Sequence, residues 1–350
     1  MSWSLPIGIL RSYACGLCTL SSPLAGPLSW RDTYQTEATK RSLLRTSAMH
    51  IAVFGASGFV GRNLLDELGG TDHHVLACDI EPIDHDADNV EYRDVNITDE
   101  EAVEDAVSDV DAVAHLAAHP LPASTDDPKL NAEINVVGTL NILDAAREHD
   151  IEKVFFSSAS SLVGEVETVP VPEDHPASPQ SPYGVAKHAV EEYLDVYNQL
   201  YDLDYLVFRF FNVYGPYQYP DSGALVPVVL SRLARDEGVF VTGDGQQTRD
   251  FIYVRDITAF IVDGLEGDVT NEVVNMGRGT DTAILDAIHE MAEVVGVEPE
   301  IDRKPERPDE IDDFYADTSK CERLFGHAPE TEFRNGLERT FEWLQEDADL

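Results

Sequence analysis

Residues 51–61 read Ile51-Ala52-Val53-Phe54-Gly55-Ala56-Ser57-Gly58-Phe59-Val60-Gly61. The apolar run predicts a buried strand, and the three glycines predict a tight turn that opens a helix. Glycine lets the backbone turn sharply and approach another group closely. The helix that follows offers unpaired N–H groups and a partial positive charge at its first turn. A strand, glycine turn and helix in this order make a seat for a pyrophosphate. The candidate contacts are Gly55, Ser57, Gly58, Phe59, Val60 and Gly61. A second apolar stretch ends in Asp79, 18 residues after Gly61. A carboxylate there accepts both ribose hydroxyls of NAD and repels the 2′-phosphate of NADP. No arginine lies beside Asp79, so the pattern favours NAD.

Far downstream stands Tyr183-Gly184-Val185-Ala186-Lys187, with a phenol and an ammonium four residues apart on one helix face. Free tyrosine ionises at about 10. Tyr183 can act as a base near neutrality only beside positive charge, which Lys187 and an oxidised nicotinamide supply. Between the two motifs runs Val154-Phe155-Phe156-Ser157-Ser158-Ala159-Ser160-Ser161. Its apolar half predicts a buried strand. Its hydroxyls emerge at the carboxyl end, where ligands bind in open α/β sheets. One of them is expected to hydrogen-bond a reacting hydroxyl. The strand Val113-Ala114-His115 leads into Leu116-Ala117-Ala118, small residues that let a cofactor lie close. His115 reads as a satisfied strand-end histidine, and His119 is a weaker candidate near the nicotinamide.

Strands are expected at 50–54, 74–79, 111–115, 152–157 and 204–209. Helices are expected at about 59–68, 99–107, 129–149 and 181–200, and later near 223–236, 255–265, 283–295 and 333–346. Alternating strands and helices predict a doubly wound parallel sheet. Residues 1–48 carry five basic and two acidic side chains, unlike the rest of the chain. Met49 stands immediately before the first strand. The preceding segment is expected to be disordered or to reflect a misassigned start.

Acidic residues number 66 against 24 basic ones, a formal charge of −42. The acid is spread along the whole body, and only six lysines occur. Such a surface suits concentrated salt, where counterions screen self-repulsion. It repels nucleic acid and anionic lipid, so any anionic substrate must be met by local arginines. No apolar run reaches the ~18 residues of a membrane span, and a cytoplasmic location is expected. Cys15, Cys18, Cys78 and Cys321 form no disulfide framework. Cys15 and Cys18 lack a second pair, so no metal site is expected.

Taken together, these motifs resemble the extended short-chain dehydrogenase/reductase family, specifically its NAD-dependent nucleotide-sugar epimerases and dehydratases. The resemblance covers about 49–345. It implies a Rossmann-type sheet with a smaller C-terminal α/β substrate domain. The NAD-binding domain falls at 49–215 with a returning segment near 250–275. The nucleotide-sugar-binding domain falls at 216–249 and 276–350. It further implies an adenine contact at Asp94-Val95, cofactor contacts at Leu116, Ala117, Ala118 and Asn135, and catalysis by Tyr183 and Lys187. Arg209-Phe210-Phe211-Asn212-Val213-Tyr214-Gly215-Pro216 resembles the family's R-x-F-N-x-x-G-P segment, with Phe211 near the nicotinamide and Asn212 on the sugar diphosphate. Gln247-Thr248-Arg249-Asp250-Phe251 and Arg307-Pro308 resemble the segments whose arginines grip that diphosphate.

The family's active-site hydroxyl lies five residues before a glycine. Counting back from Gly164 lands on Ala159, so Ser158 or Ser160 is expected to supply it. The implied activity is C4 epimerisation of a UDP-glucose/UDP-galactose type substrate through a 4-keto sugar, in a homodimer built on helices 129–149 and 181–200. A 4,6-dehydratase, decarboxylase or sugar dehydrogenase is the alternative within the family, and a silent NAD-binding scaffold the alternative outside it. Dehydratases carry acids where this chain has Ala159-Ser160-Ser161.

Overall fold

A computed structural model of the chain describes residues 48–306 and 311–347. The expectations for the N-terminal extension, for the Cys15/Cys18 pair and for Arg307 lie outside the described residues. Six strands are β1 (His50–Phe54), β2 (His74–Asp79), β3 (Val90–Asp94), β4 (Ala112–His115), β5 (Lys153–Ala159) and β6 (Asp204–Phe210). With Glu272–Met276 they form one sheet, in the order Glu272–Met276, β6, β5, β4, β1, β2, β3. Every pairing in it is parallel. This is a Rossmann-type α/β fold. The chain leaves β1 toward β2 on one side and returns to β4 on the other, so a crevice opens at the carboxyl ends of β1 and β4.

The central strands are apolar because both faces are covered. Successive side chains alternate between the faces. Ile51, Val53 and Phe155 join Leu64, Leu65, Phe208, Ile257 and Phe260 on one side. Ala52, Phe54 and Phe156 join Val113, Ile142, Leu143, Val190 and Leu194 on the other. Cys78 is buried there, and burial pushes its thiol up to about 12, so it acts as packing. Three further strand pairs lie outside the sheet. A separate cluster gathers Tyr214, Leu230, Val241, Phe251, Tyr253, Ile288, Met291, Leu337 and Trp343. Helix Val254–Glu266 and strand Glu272–Met276 return to the main sheet, and Cys321 from helix Ser319–Phe325 also packs into its core.

Two strands differ from the sequence expectation. Val90–Asp94 and Glu272–Met276 are the two edges of the sheet, each with one strand neighbour. Val90–Asp94 is mostly solvent-facing, so its composition lacks the apolar signal. The helix expected at 129–149 is also broken. It runs as Pro128–Ala132, a wide six-residue turn at Glu133–Gly138, and Thr139–Glu148. Gly138 lies hard against Ile97: a Cβ there would meet Ile97 Cγ1 at 2.7 Å. Widened turns of this kind often occur where a helix serves a site.

Gly336 tests the packing of the second cluster. A Cβ built on it would sit 2.1 Å from the Tyr214 hydroxyl, and Tyr214 is 1 % exposed. That hydroxyl donates to the Phe333 carbonyl at 3.1 Å, which holds the ring in place. Gly336→Ala is expected to destabilise the protein by about 1–3 kcal/mol through overpacking. Tyr214→Phe in the same chain should recover part of that loss. Denaturant unfolding of the four-member cycle checks it, and simple additivity would refute the contact.

Candidate active site

The glycine turn is shaped by how close β1 and β4 run. Gly55 has φ +83°, and a Cβ on it would lie 2.4 Å from Ala117 N. On Gly61 a Cβ would lie 2.2 Å from the Gly55 carbonyl oxygen. Side chains would fill the cradle. Helix Phe59–Gly69 begins at Gly58 with no side chain capping it, so its first N–H groups remain for an anion. Asp79 closes the turn from β2. Its carboxylate accepts from Ser57 N at 3.0 Å and Glu81 N at 3.1 Å. These features fit the pyrophosphate and adenosine ribose of NAD.

The other expected cofactor contacts separate into two groups. Leu116, Ala117 and Ala118 are half-buried along the segment leaving β4. Asp94 is exposed at the end of β3, while Val95 turns its side chain into the core beneath. Asn135 is 2 % exposed and serves the backbone. Its Oδ1 accepts from His119 N at 2.6 Å, and its Nδ2 donates to the His119 carbonyl at 3.0 Å and to Asn131 Oδ1 at 2.7 Å. The wide turn at 133–138 delivers this amide, which shapes the loop after β4. His115 is fully buried and pushed down to about 3, first by burial and then by Lys187. Its Nε2 lies 2.9 Å from Thr139 Oγ1.

Tyr183 and Lys187 lie on helix Pro182–Tyr201, whose N-terminus is capped by Ser181. Proline at the first position and a serine cap start it there. Lys187 Nζ lies 5.5 Å from the Tyr183 ring centroid and 4.5 Å from that of Phe156. It donates to the Ser157 carbonyl at 2.5 Å. The lysine is 2 % exposed, and burial brings it down to about 7 while Glu191 pulls the other way. Burial alone drives the Tyr183 phenol up to about 12. Without further positive charge the phenol keeps its proton.

The serines of the strand end do not behave alike. Ser157 Oγ donates to the His115 carbonyl at 3.2 Å. Ser158, one of the two expected active-site hydroxyls, points to the other face of β5. It donates to Glu191 Oε1 at 2.5 Å. Glu191 also receives Arg209 Nη2 at 2.7 Å and Arg209 Nε at 3.1 Å. Ser158 therefore belongs to a buried ion pair that ties the helix to β5 and β6. This corrects its expected role, because strand alternation places neighbouring side chains on opposite faces. Ser160 is 8 % exposed, and its hydroxyl makes no hydrogen bond among the described residues. Sequence reasoning passed over Glu191. The four-residue step from Lys187 was the available signal.

Phe211 is buried and stacks on Phe314, with centroids 5.0 Å apart at 29°. Asn212 Nδ2 donates to the Asp250 carbonyl at 3.2 Å. Arg249 Nη1 donates to the carbonyls of Thr248 at 2.7 Å and Ile311 at 2.9 Å. The buried Asp250 carboxylate accepts from the backbone N–H groups of Arg278, Gly279 and Ala316. It binds three loops into one wall. Among the described residues no cluster of metal-ligating side chains occurs, and no helix is long and apolar enough to cross a membrane.

Comparison with known proteins finds relatives that span most of the chain. The model of the NAD dependent epimerase/dehydratase family matches residues 51–277. A putative UDP-glucose 4-epimerase of Methanocaldococcus jannaschii is 33 % identical, over 84 % of this chain and 98 % of that one. A dTDP-glucose 4,6-dehydratase of Streptomyces niveus is 30 % identical, over 85 % and 93 %. The UDP-glucose 4-epimerase of Thermotoga maritima, solved with UDP-glucose, superposes with a TM-score of 0.80 at 31 % identity, covering 86 % of this chain and all of that one. That of Thermus thermophilus, solved with NAD, gives 0.77 at 30 % identity, covering 85 % and 100 %. With a glycine cradle at the β1/β4 crevice and a buried lysine beside a tyrosine, the chain belongs to the NAD-dependent epimerase/dehydratase family.

Proposed function

We propose that the protein is a 4-epimerase of a nucleotide-diphosphate sugar, of the UDP-glucose/UDP-galactose type. The observation that carries this reading is the buried Lys187 ammonium beside the Tyr183 ring, at a strand end, Ala159-Ser160-Ser161, that holds no acid. An acid–base pair is present, while the carboxyl groups with which the family's dehydratases eliminate water are missing.

NAD⁺, when bound, would supply a reversible two-electron store for oxidation of the sugar and further positive charge to favour the phenolate. Tyr183, as phenolate, takes the proton of the C4 hydroxyl as that carbon is oxidised, leaving a 4-keto sugar. The keto sugar turns over within the pocket, and Tyr183 returns the proton when the opposite face is reduced. Lys187 lowers the phenol's affinity for its proton. Asn212, Arg249 and Arg307 hold the diphosphate while the sugar moves. The second hydrophobic cluster is read as the sugar-binding part. The chain's acidic surface suits concentrated salt. Purified protein given UDP-glucose or UDP-galactose tests the activity. Epimerisation without added NAD supports it, steady accumulation of NADH supports a dehydrogenase, and a 4-keto-6-deoxy product supports a dehydratase.

A homodimer is part of the proposal. Tyr193, Val196 and Leu200 are exposed at helical spacing on Pro182–Tyr201, with Leu130 and Val137 on the neighbouring helical segment. An apolar stripe of this kind suits a second copy. Val196→Glu is expected to yield monomers in sedimentation at high salt, with wild type dimeric under the same conditions.

Tyr183→Phe should lower kcat by at least about 10²–10⁴-fold and leave NAD bound, as read from turnover and cofactor content. Glu191→Gln should act through Lys187. The carboxylate raises the lysine's proton affinity, so its loss takes Lys187 below its value of about 7. The ammonium is then lost at lower pH, and the basic limb of kcat against pH moves toward acid. The same change unpairs Arg209 and should cost about 3–5 kcal/mol of stability. An unmoved basic limb in a folded variant would falsify the coupling.

A further inference from the structure

Asp250 is fully buried, and among the described residues no cation pairs with it. Backbone donors surround its carboxylate instead. Oδ1 accepts from Arg278 N at 2.7 Å, and Oδ2 accepts from Gly279 N and Ala316 N, both at 3.0 Å. The fit is tight, since a Cβ on Gly277 would lie 2.2 Å from Oδ2. The carbonyl of the same residue accepts from Asn212 N at 3.0 Å and from Asn212 Nδ2 at 3.2 Å. Arg249 directly precedes it. One residue thus ties Asn212 and the backbone of Arg249 to the loop at 277–279 and to the segment bearing Ala316.

Burial pushes this carboxyl up to about 6, while the N–H groups of Ala316, Arg278 and Gly279 and the Arg278 charge pull it down. A carboxyl raised above its ordinary value binds its proton better in the folded chain than in the unfolded one. The ionised form therefore costs stability at neutral pH. Proteins keep such costs chiefly where function needs them. Three converging N–H groups call for an acceptor with several lone pairs, which a carboxylate has. Protonation turns one of those acceptor sites into a donor that faces other donors. The remaining charged groups on the segments around Asp250 have their own contacts. Arg249 turns to the Thr248 and Ile311 carbonyls, and Arg278 pairs with Glu332. Asp313 takes the Thr248 hydroxyl, Asp317 takes Ser319 N, Glu173 takes Asn275 N, and Asp312 is exposed.

We propose that Asp250 is a positioning residue for the substrate: as a carboxylate it holds Asn212 and the backbone of Arg249 in their binding arrangement, and its protonation loosens that wall and weakens the grip on a sugar diphosphate. This rests on the reading of Asn212 and Arg249 as diphosphate contacts. Asp250 itself touches neither sugar nor cofactor in this role. Its signature is a substrate affinity that falls on acidification, while retention of NAD at the glycine turn is unaffected.

The test uses the NAD-loaded full chain and calorimetric binding of UDP-glucose, which has no terminal phosphate and keeps its charge over the range studied. Wild-type affinity is expected to fall about tenfold between about pH 8 and pH 5, as the carboxyl titrates near 6. Asp250→Asn should bind UDP-glucose about tenfold more weakly at about pH 8 and show a correspondingly raised KM. Its kcat at saturation should stay within about threefold of wild type. Its NAD content should be unchanged, and acidification should weaken its binding no further. Arg278→Gln keeps every N–H that reaches Asp250 and removes the neighbouring charge, so the acid-side fall should move toward neutral pH. If Asp250→Asn does not fold, wild type and Arg278→Gln decide the matter. A wild-type affinity that is flat with pH, a fall that persists in Asp250→Asn, or one that Arg278→Gln leaves in place overturns the assignment, and the epimerase reading stands as long as the sugars interconvert. A wild type that neither binds UDP-glucose nor converts it overturns both.

Discussion

A single ammonium held out of water constrains much of this molecule. Lys187 is 2 % exposed, and a cation in that position is stable only with close electrostatic support. The Ser157 carbonyl, the face of Phe156 and the carboxylate of Glu191 provide it. The first two come from β5 and the third from the next turn of the lysine's own helix. Helix and strand must therefore keep a fixed separation and rotation. Arg209 on β6 completes the arrangement by holding Glu191 through two nitrogens. A shift that loosened this packing would first leave a buried charge without its partners.

The overall charge makes the placement of cations informative. With 24 basic residues against 66 acidic ones, counter-charges for surface lysines are plentiful, yet few lysines are present. Three of them turn to backbone oxygens. Lys153 binds the carbonyls of Gly264 and Gly267 at the end of a helix, and Lys320 binds that of Val273. Lys187 does the same at Ser157. A cation at a helix carboxyl end meets both unpaired carbonyls and the negative end of the dipole. Lys153 and Lys187 are buried connectors, while Lys320 also pairs with Glu272 at 2.7 Å and Lys129 and Lys304 remain exposed.

Much of this was legible beforehand, and for definite reasons. The run Ile51–Phe54 followed by Gly55, Gly58 and Gly61 combines burial with a backbone that only glycine can follow. It specified β1, the turn and the helix together. The strands beginning at 74, 153 and 204 carried the same apolar signal. The edge strand Val90–Asp94 did not, because it faces water and resembles a loop in composition. The wide turn at 133–138 left no mark either; it ends at Gly138, which lies against Ile97, 41 residues earlier in the chain. Ser158 could not be told from its neighbours in a row of hydroxyls until the pleat assigned each one a face.

What the chain itself determined is local and covalent: which residues can turn, which must be buried, and which chemical groups stand a helical turn apart. Those suffice for the parallel sheet, the pyrophosphate seat and the pairing of Tyr183 with Lys187. Tertiary packing decided which groups are dry. It turned Ser158 toward Glu191, gave Asn135 to the His119 backbone and left the Ser161 hydroxyl without a partner. Burial and hydrogen bonding depend on segments that meet only after the sheet closes, so their outcome is a property of the fold rather than of any one stretch of sequence.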